Sequence, residues 1–200
     1  MKAILIFLIA INLFANDVDK ALELRNNGKI NEAIKLFSKT CGKYDGRACY
    51  NLAVLYDEGK LINQNYEKAK KLYKRACELS HGFACYNLGI IYDNAKGVKK
   101  DELKAKDLFE KSCKLGDSFG CYNFGSIFYE GKIVKQDYKK AKKYFEIACK
   151  AKDGQACNML AVMYYNSYGI NYDIDKIKEL LKKGCSYGYD ASCRNYKKIN

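Results

Sequence analysis

"ACYNLAVLY" at 48–56, "ACYNLGIIY" at 84–92, "GCYNFGSIF" at 120–128 and "ACNMLAVMY" at 156–164 are one phrase written four times, 36 residues apart. An eroded fifth copy, "SCRNY", stands at 192–196. A cysteine is second in each phrase, and another always lies eight positions earlier. Cys41, Cys77, Cys113, Cys149 and Cys185 therefore form one 36-residue series, and Cys49, Cys85, Cys121, Cys157 and Cys193 form a second. A period in the thirties with helical patterning indicates stacked helix–turn–helix units, none of which can bury its apolar face alone.

Each unit reads as two helices. The first carries Cys85, Leu88, Gly89 and Tyr92, apolar or small at three- and four-residue steps. The second carries Ala69, Leu72, Tyr73 and Ala76, repeated as Ala105, Leu108, Phe109 and Ser112 and again as Ala141, Tyr144, Phe145 and Ala148. Positions 53, 89, 125 and 161 hold Ala, Gly, Gly and Ala. Glycine inside a helix costs roughly 1 kcal/mol relative to alanine, so its recurrence points to close helix packing. The polar connectors "DEGKLINQNYEKA" (57–69) and "YEGKIVKQDYKKA" (129–141) place a glycine after the first helix, as a C-cap. The expected fold is an all-α solenoid with repeats at about 45–80, 81–116, 117–152 and 153–188. Gly28 lies 13 residues before Cys41, whereas Gly59 and Gly131 lie 18 before Cys77 and Cys149. The segment at about 17–44 thus has a shorter turn and reads as a tetratricopeptide-like N-terminal cap. "SCRNYKKIN" loses the apolar stripe and reads as the opposite cap, running to residue 200.

The cysteine spacing has a geometric consequence. Eight helical residues would separate two cysteines by about 12 Å, and a disulfide needs α-carbons within roughly 4.4–6.8 Å. The chain must turn back between them, and every intervening segment contains a glycine: "GKYDGRA", "ELSHGFA", "KLGDSFG", "KAKDGQA" and "SYGYDAS". The expected pairs are 41–49, 77–85, 113–121, 149–157 and 185–193, each clipping the second helix of one unit to the first helix of the next. Each loop closure should contribute a little under about 3 kcal/mol. Zinc is the rival reading, but it prefers C-x-x-C pairs with histidines, and neither is present. No metal and no cofactor are expected.

The opening stretch, "MKAILIFLIAINLFAND", has Lys2, an apolar run from Ala3 to Phe14, and Ala15 before polar Asn16. The run is too short for a transmembrane helix and matches a secretory signal peptide at 1–15. A buried N-terminal helix is the alternative. The first cysteine is Cys41, far from the cleavage point, so no lipid anchor is expected. Ten cysteines fit a secreted or periplasmic protein better than a reducing cytosol. The net charge of +13 favours anionic polysaccharide, lipid head groups or acidic peptides. Nucleic acid is not an expected partner of an exported chain. The lysines of "EKAKKLYKR" and "DYKKAKKYF" read mostly as solvated helix faces, and a monomer is expected.

The stretch "ACYNLGIIYDNAKGVKKDELKAKDLFEKSC" (84–113) resembles the Sel-like repeat, a 36-residue relative of the tetratricopeptide unit. With the bridged cysteine spacing, residues 17–200 resemble the Hcp family of secreted, cysteine-rich Sel-like repeat proteins. The resemblance implies a right-handed α/α superhelix, secretion, one disulfide per repeat and a concave binding face. It also implies penicillin binding with slow β-lactam hydrolysis, because members of that family carry the name β-lactamase.

Three functions follow. In the first, the concave groove binds a peptide or cell-envelope ligand through Asn51, Asn87, Asn123 and Asn195, a series interrupted by Met159. An asparagine amide offers donors and an acceptor for an extended backbone, and Tyr50, Tyr86 and Tyr122 add aromatic surface. Alternatively these asparagines bond to neighbouring backbone and only fix the stack. The second is β-lactamase activity, for which no S-x-x-K, S-D-N or K-T-G element exists. The single histidine, His81 in "SHGFA", reads as a solvated turn residue. The third is attachment to an envelope or host surface, host proteins included, through basic charge alone.

Overall fold

The computed structural model describes residues 17–199, and every element among them is helical. The expected signal peptide lies outside the described residues. Helix α1 covers 17–26 and turns through Gly28, at φ +76°, into α2 (Ile30–Gly42). The repeats then supply α3 (Gly46–Glu58) with α4 (Tyr66–Glu78), and α5 (Gly82–Asp93) with α6 (Glu102–Lys114). They continue with α7 (Ser118–Glu130) and α8 (Tyr138–Lys150), then α9 (Gly154–Tyr165) and α10 (Ile174–Ser186). The shorter α11 (Asp190–Lys198) ends the stack.

Helix starts are set by acidic and amide side chains recurring every 36 residues. Asn65, Asp101, Asp137 and Asp173 cap the second helices, each accepting from the backbone N–H three residues on at 2.9 Å. Asp45 and Asp153 do the same for α3 and α9. Gly59 and Gly131 end α3 and α7 in the left-handed region, as the connectors predict. In three of the units a lysine from the start of the second helix then lies over the aromatic ring that closes the first. Lys68 sits 5.0 Å from Tyr56, Lys104 4.2 Å from Tyr92 and Lys140 5.1 Å from Phe128. At roughly 0.5–1 kcal/mol each, these pairs fix the angle of the hairpin.

All five expected disulfides are formed, with α-carbons 4.4 Å apart at 113–121 and 4.8 Å at 149–157. One detail of the turns differs from the sequence expectation. The left-handed residue is a glycine only at Gly116 and Gly188; Tyr44, Ser80 and Lys152 hold it elsewhere. Three of the remaining glycines of these segments, 46, 82 and 154, open the following helix instead.

The core is the strip between the two helix layers. Tyr73, Phe109, Phe145 and Leu181 stand in one register on the second helices and are all buried. Facing them are the small residues Ala53, Gly89, Gly125 and Ala161. A methyl group on Gly89 would meet the Phe109 ring at 2.6 Å, and one on Gly125 would meet Phe145 at 3.0 Å. First helices pack on one another at two junctions, α5 on α7 and α9 on α11, while no pair of second helices touches as extensively. The stack therefore curves with its first helices on the inside. That inner face is the candidate groove.

Candidate interaction groove

The four asparagines of the expected site fall on first helices, and all are half-buried. Asn51 Nδ2 donates to the Arg47 carbonyl at 2.9 Å and Asn123 Nδ2 to the Phe119 carbonyl at 2.8 Å. These are bonds within the residue's own helix, four positions back. They commit one amide hydrogen and leave the oxygen and second N–H as further capacity. Asn87 behaves differently: its amide lies near the hydroxyls of Tyr50 and Tyr73 and offsets part of the effect of burial on them, while the Tyr73 hydroxyl donates to Asp57 Oδ2 at 3.2 Å. Asn195 Nδ2 donates to Asn158 Oδ1 at 3.1 Å. Asn158 occupies the register of Tyr50, Tyr86 and Tyr122, so in the last unit an amide pair replaces the tyrosine contact. The structure thus realises part of the backbone-fixing alternative at Asn51 and Asn123.

Tyr50, Tyr86 and Tyr122 each pack against the aromatic of their own second helix, with centroids 6.0 Å from Tyr73, 6.1 Å from Phe109 and 5.7 Å from Phe145. Burial is the main cause that pushes their phenols up, so they stay protonated donors at neutral pH.

His81 is not the solvated turn residue expected from the sequence. It occupies the N-cap position of α5, where aspartate stands in the units of α3, α7 and α9. Its imidazole stacks on Tyr50 at 4.5 Å, and Nδ1 is buried without a partner. Burial is the largest cause that lowers its pKa, which leaves the ring neutral at pH 7. The sequence-level reading missed the packing because Tyr50 belongs to the preceding unit.

Two further aromatics were not singled out from the sequence. Phe83 and Phe119 are 46% and 43% exposed, with centroids 6.1 Å apart. Phe119 is also 5.6 Å from Tyr86, and Phe83 is 6.4 Å from both Tyr50 and His81. Together they make an aromatic row across three units. The signal was available, since 83 and 119 share one register just before the cysteine phrase. Beside Asn123 the face deepens into a mixed cleft of about 130 Å³, where Asp93, Glu102, Glu130 and Lys132 meet Phe109 and Ile127. An apolar cavity of about 360 Å³ opens beside Asn195, between Val162, Ile177, Leu181 and Ile199. It marks the end of the stack, where no further unit follows α11 among the described residues.

The charge of the two layers is opposite. Helices α3, α5, α7 and α9 carry one base, Arg47, against Asp57, Glu58, Asp93 and Glu130. Arg47 is itself paired to Asp19 at 2.9 Å. Helices α4, α6, α8 and α10 carry eighteen Lys and Arg against eight Asp and Glu. The basic excess that favours anionic partners is therefore on the outer layer. Among the described residues no group of three or more His, Cys, Asp or Glu could hold a metal ion.

A family model for the Sel1 repeat matches residues 46–81, 82–117, 118–153 and 154–188, and the chain belongs to this family. No curated protein shows a significant match. Among solved structures, a Sel1 repeat protein from Oxalobacter formigenes is 26% identical, with 84% of this chain and 66% of that chain covered and a TM-score of 0.76. A protective antigen of uropathogenic Escherichia coli displaying an SLR fold is 24% identical over 84% of this chain and 36% of its own, with a TM-score of 0.77. Helicobacter pylori cysteine rich protein B is 35% identical over 66% of this chain and 95% of its own, with a TM-score of 0.54. The chain thus spans about two thirds of the first of these proteins and about a third of the second. Five disulfides indicate an oxidising, extracytoplasmic setting. No described helix is long and apolar enough to cross a membrane.

Proposed function

We propose that the protein is an exported binding scaffold, secreted or periplasmic, whose inner face takes an extended peptide or cell-envelope ligand. Residues 1–15 direct export, and the bridged stack of about 16–200 is the working unit. The observation that carries the reading is the inner face itself. It presents amides at Asn51, Asn87 and Asn123 at a constant 36-residue interval, with the exposed Phe83–Phe119 pair beside them. Amides can pair with peptide groups of an extended chain, and exposed aromatics supply contact area at low entropic cost. Sel1 repeats are a protein-interaction scaffold, which is consistent with this use.

The test is binding of the oxidised protein to arrayed envelope-derived peptides and cell-wall fragments, followed by titration of the best binder. Removing about 1 kcal/mol per lost hydrogen bond, the Asn51→Ala, Asn87→Ala, Asn123→Ala triple variant should weaken that ligand roughly 100-fold. The pair Phe83→Ala and Phe119→Ala should also weaken it. Affinity unchanged in both variants would remove the groove from consideration.

A further inference from the structure

The opposite signs of the two layers give the molecule a second surface that the groove reading does not use. Its strongest part is α8, with Lys139, Lys140, Lys142, Lys143 and Lys150 against Glu146 alone. Lys140 and Lys142 are paired, to Asp137 and Glu146. Lys139, Lys143 and Lys150 have no carboxylate at ion-pairing distance among the described residues and are exposed. They lie three, four or seven positions from Ile147 or from one another, so they share the outer stripe of the helix with it. Ile147 is 40% exposed in the middle of this stripe. On the neighbouring α6, Leu103 holds the register that Lys139 holds on α8 and is 61% exposed.

We propose that the outer layer docks on an anionic lipid bilayer, centred on α8, so that the groove faces away from the membrane. Lysine ammonium groups would meet lipid phosphates, each favoured near such a surface by a comparable increment. The bases are spread over four helices, a breadth that suits an extended surface such as a bilayer. Ile147 and Leu103 favour it further. An apolar side chain held among lysines gains nothing from a soluble polyanion, and it gains burial at the boundary between headgroups and acyl chains. Long lysine stems accommodate both contacts by extending past the apolar residue. The acidic inner layer adds to the orientation, since it is repelled by the surface that attracts the outer one.

The experiment is co-sedimentation of the oxidised protein, from residue 16 onward, with vesicles of mixed phosphatidylglycerol and phosphatidylcholine or of phosphatidylcholine alone. Circular dichroism and a mass consistent with five bridges would establish that each variant is folded. Binding should require phosphatidylglycerol and weaken as salt rises. Neutralising three lysines, as Lys139→Gln, Lys143→Gln and Lys150→Gln, should weaken it about 100-fold. Ile147→Ser should weaken vesicle binding severalfold and leave binding to heparin, a soluble polyanion, unchanged. The triple asparagine variant should bind vesicles as the parent does, so failure of the groove reading would be seen separately. Equal binding to neutral vesicles, or an unaffected lysine variant, would overturn the proposal. Binding to heparin with none to vesicles would assign the surface to an anionic polysaccharide instead.

Discussion

At the bridged junctions, neighbouring side chains exchange volume. Beside each disulfide, one residue of the second helix faces one of the next first helix: Thr40 with Ala48, Ala76 with Ala84, Ser112 with Gly120, Ala148 with Ala156, and Gly184 with Ser192. At Ser112 and Ser192 the partner is glycine, whereas Thr40 keeps an alanine partner. A methyl group on Gly120 would collide with Ser112 Oγ and would lie 2.9 Å from the Cys113 nitrogen. Ser112 Oγ is held in place by hydrogen bonds to the Gly82 carbonyl at 3.0 Å and to Asp117 Oδ2 at 2.6 Å. Gly120→Ala should therefore cost about 1–3 kcal/mol despite the better helix propensity of alanine. Adding Ser112→Ala rebuilds the Ala–Ala pair of the α4–α5 and α8–α9 junctions and should recover most of the loss, measured by denaturant unfolding. Simple additivity of the two changes would sink this account. The series at 53, 89, 125 and 161 was legible in the sequence because all four positions share one helix face. The Ser112–Gly120 exchange was not, because each residue conforms to its own helix and the coupling exists only across the junction.

Among helix starts, α5 is the exception. His81 supplies no side-chain cap where Asp45, Asp117 and Asp153 supply one, and it uses the position for stacking on Tyr50 instead. Its lowered pKa means that the folded state favours the neutral ring. Stability from this group is present above the unfolded pKa of about 6.5 and is lost as pH falls below it. Asp153 acts in the opposite direction, since burial raises its carboxyl and acidification favours the folded form. The contribution of His81 is therefore isolated by comparison with His81→Asn, which can cap α5. Between pH 7 and pH 5 the parent should lose more stability than this variant. As the chain has one histidine, its imidazole resonance can be titrated without assignment, and a midpoint at or above that of free histidine would contradict the packing. The two-helix unit and its glycine C-caps were readable from the period and the apolar stripes. The environment of His81 was not, because "SHGFA" says nothing about a ring contributed from 31 positions earlier.

Over the whole molecule, stability is distributed along one dimension, each unit touching only its neighbours. Replacing both cysteines of the last bridge, Cys185→Ala and Cys193→Ala, should cost up to about 3 kcal/mol and loosen α11 alone. The same change at Cys113 and Cys121 should cost a similar amount but uncouple α2–α6 from α7–α11. Hydrogen exchange should then show two protection levels in place of one, and uniform protection would argue against a one-dimensional stack. The net charge of +13 was plain from composition, but its meaning was not. A sum over the chain cannot say which layer holds the excess, and only the assignment of bases to α4, α6, α8 and α10 separates a neutral-to-acidic groove from a basic exterior.

The disulfides join cysteines that are consecutive along the chain, without exception. A polypeptide threading N-terminus first through a narrow pore would deliver each thiol only eight residues ahead of its correct partner. The order of emergence is thus the order of pairing. Oxidation can keep pace with translocation, and no bridge has to be broken and remade for the last unit to close.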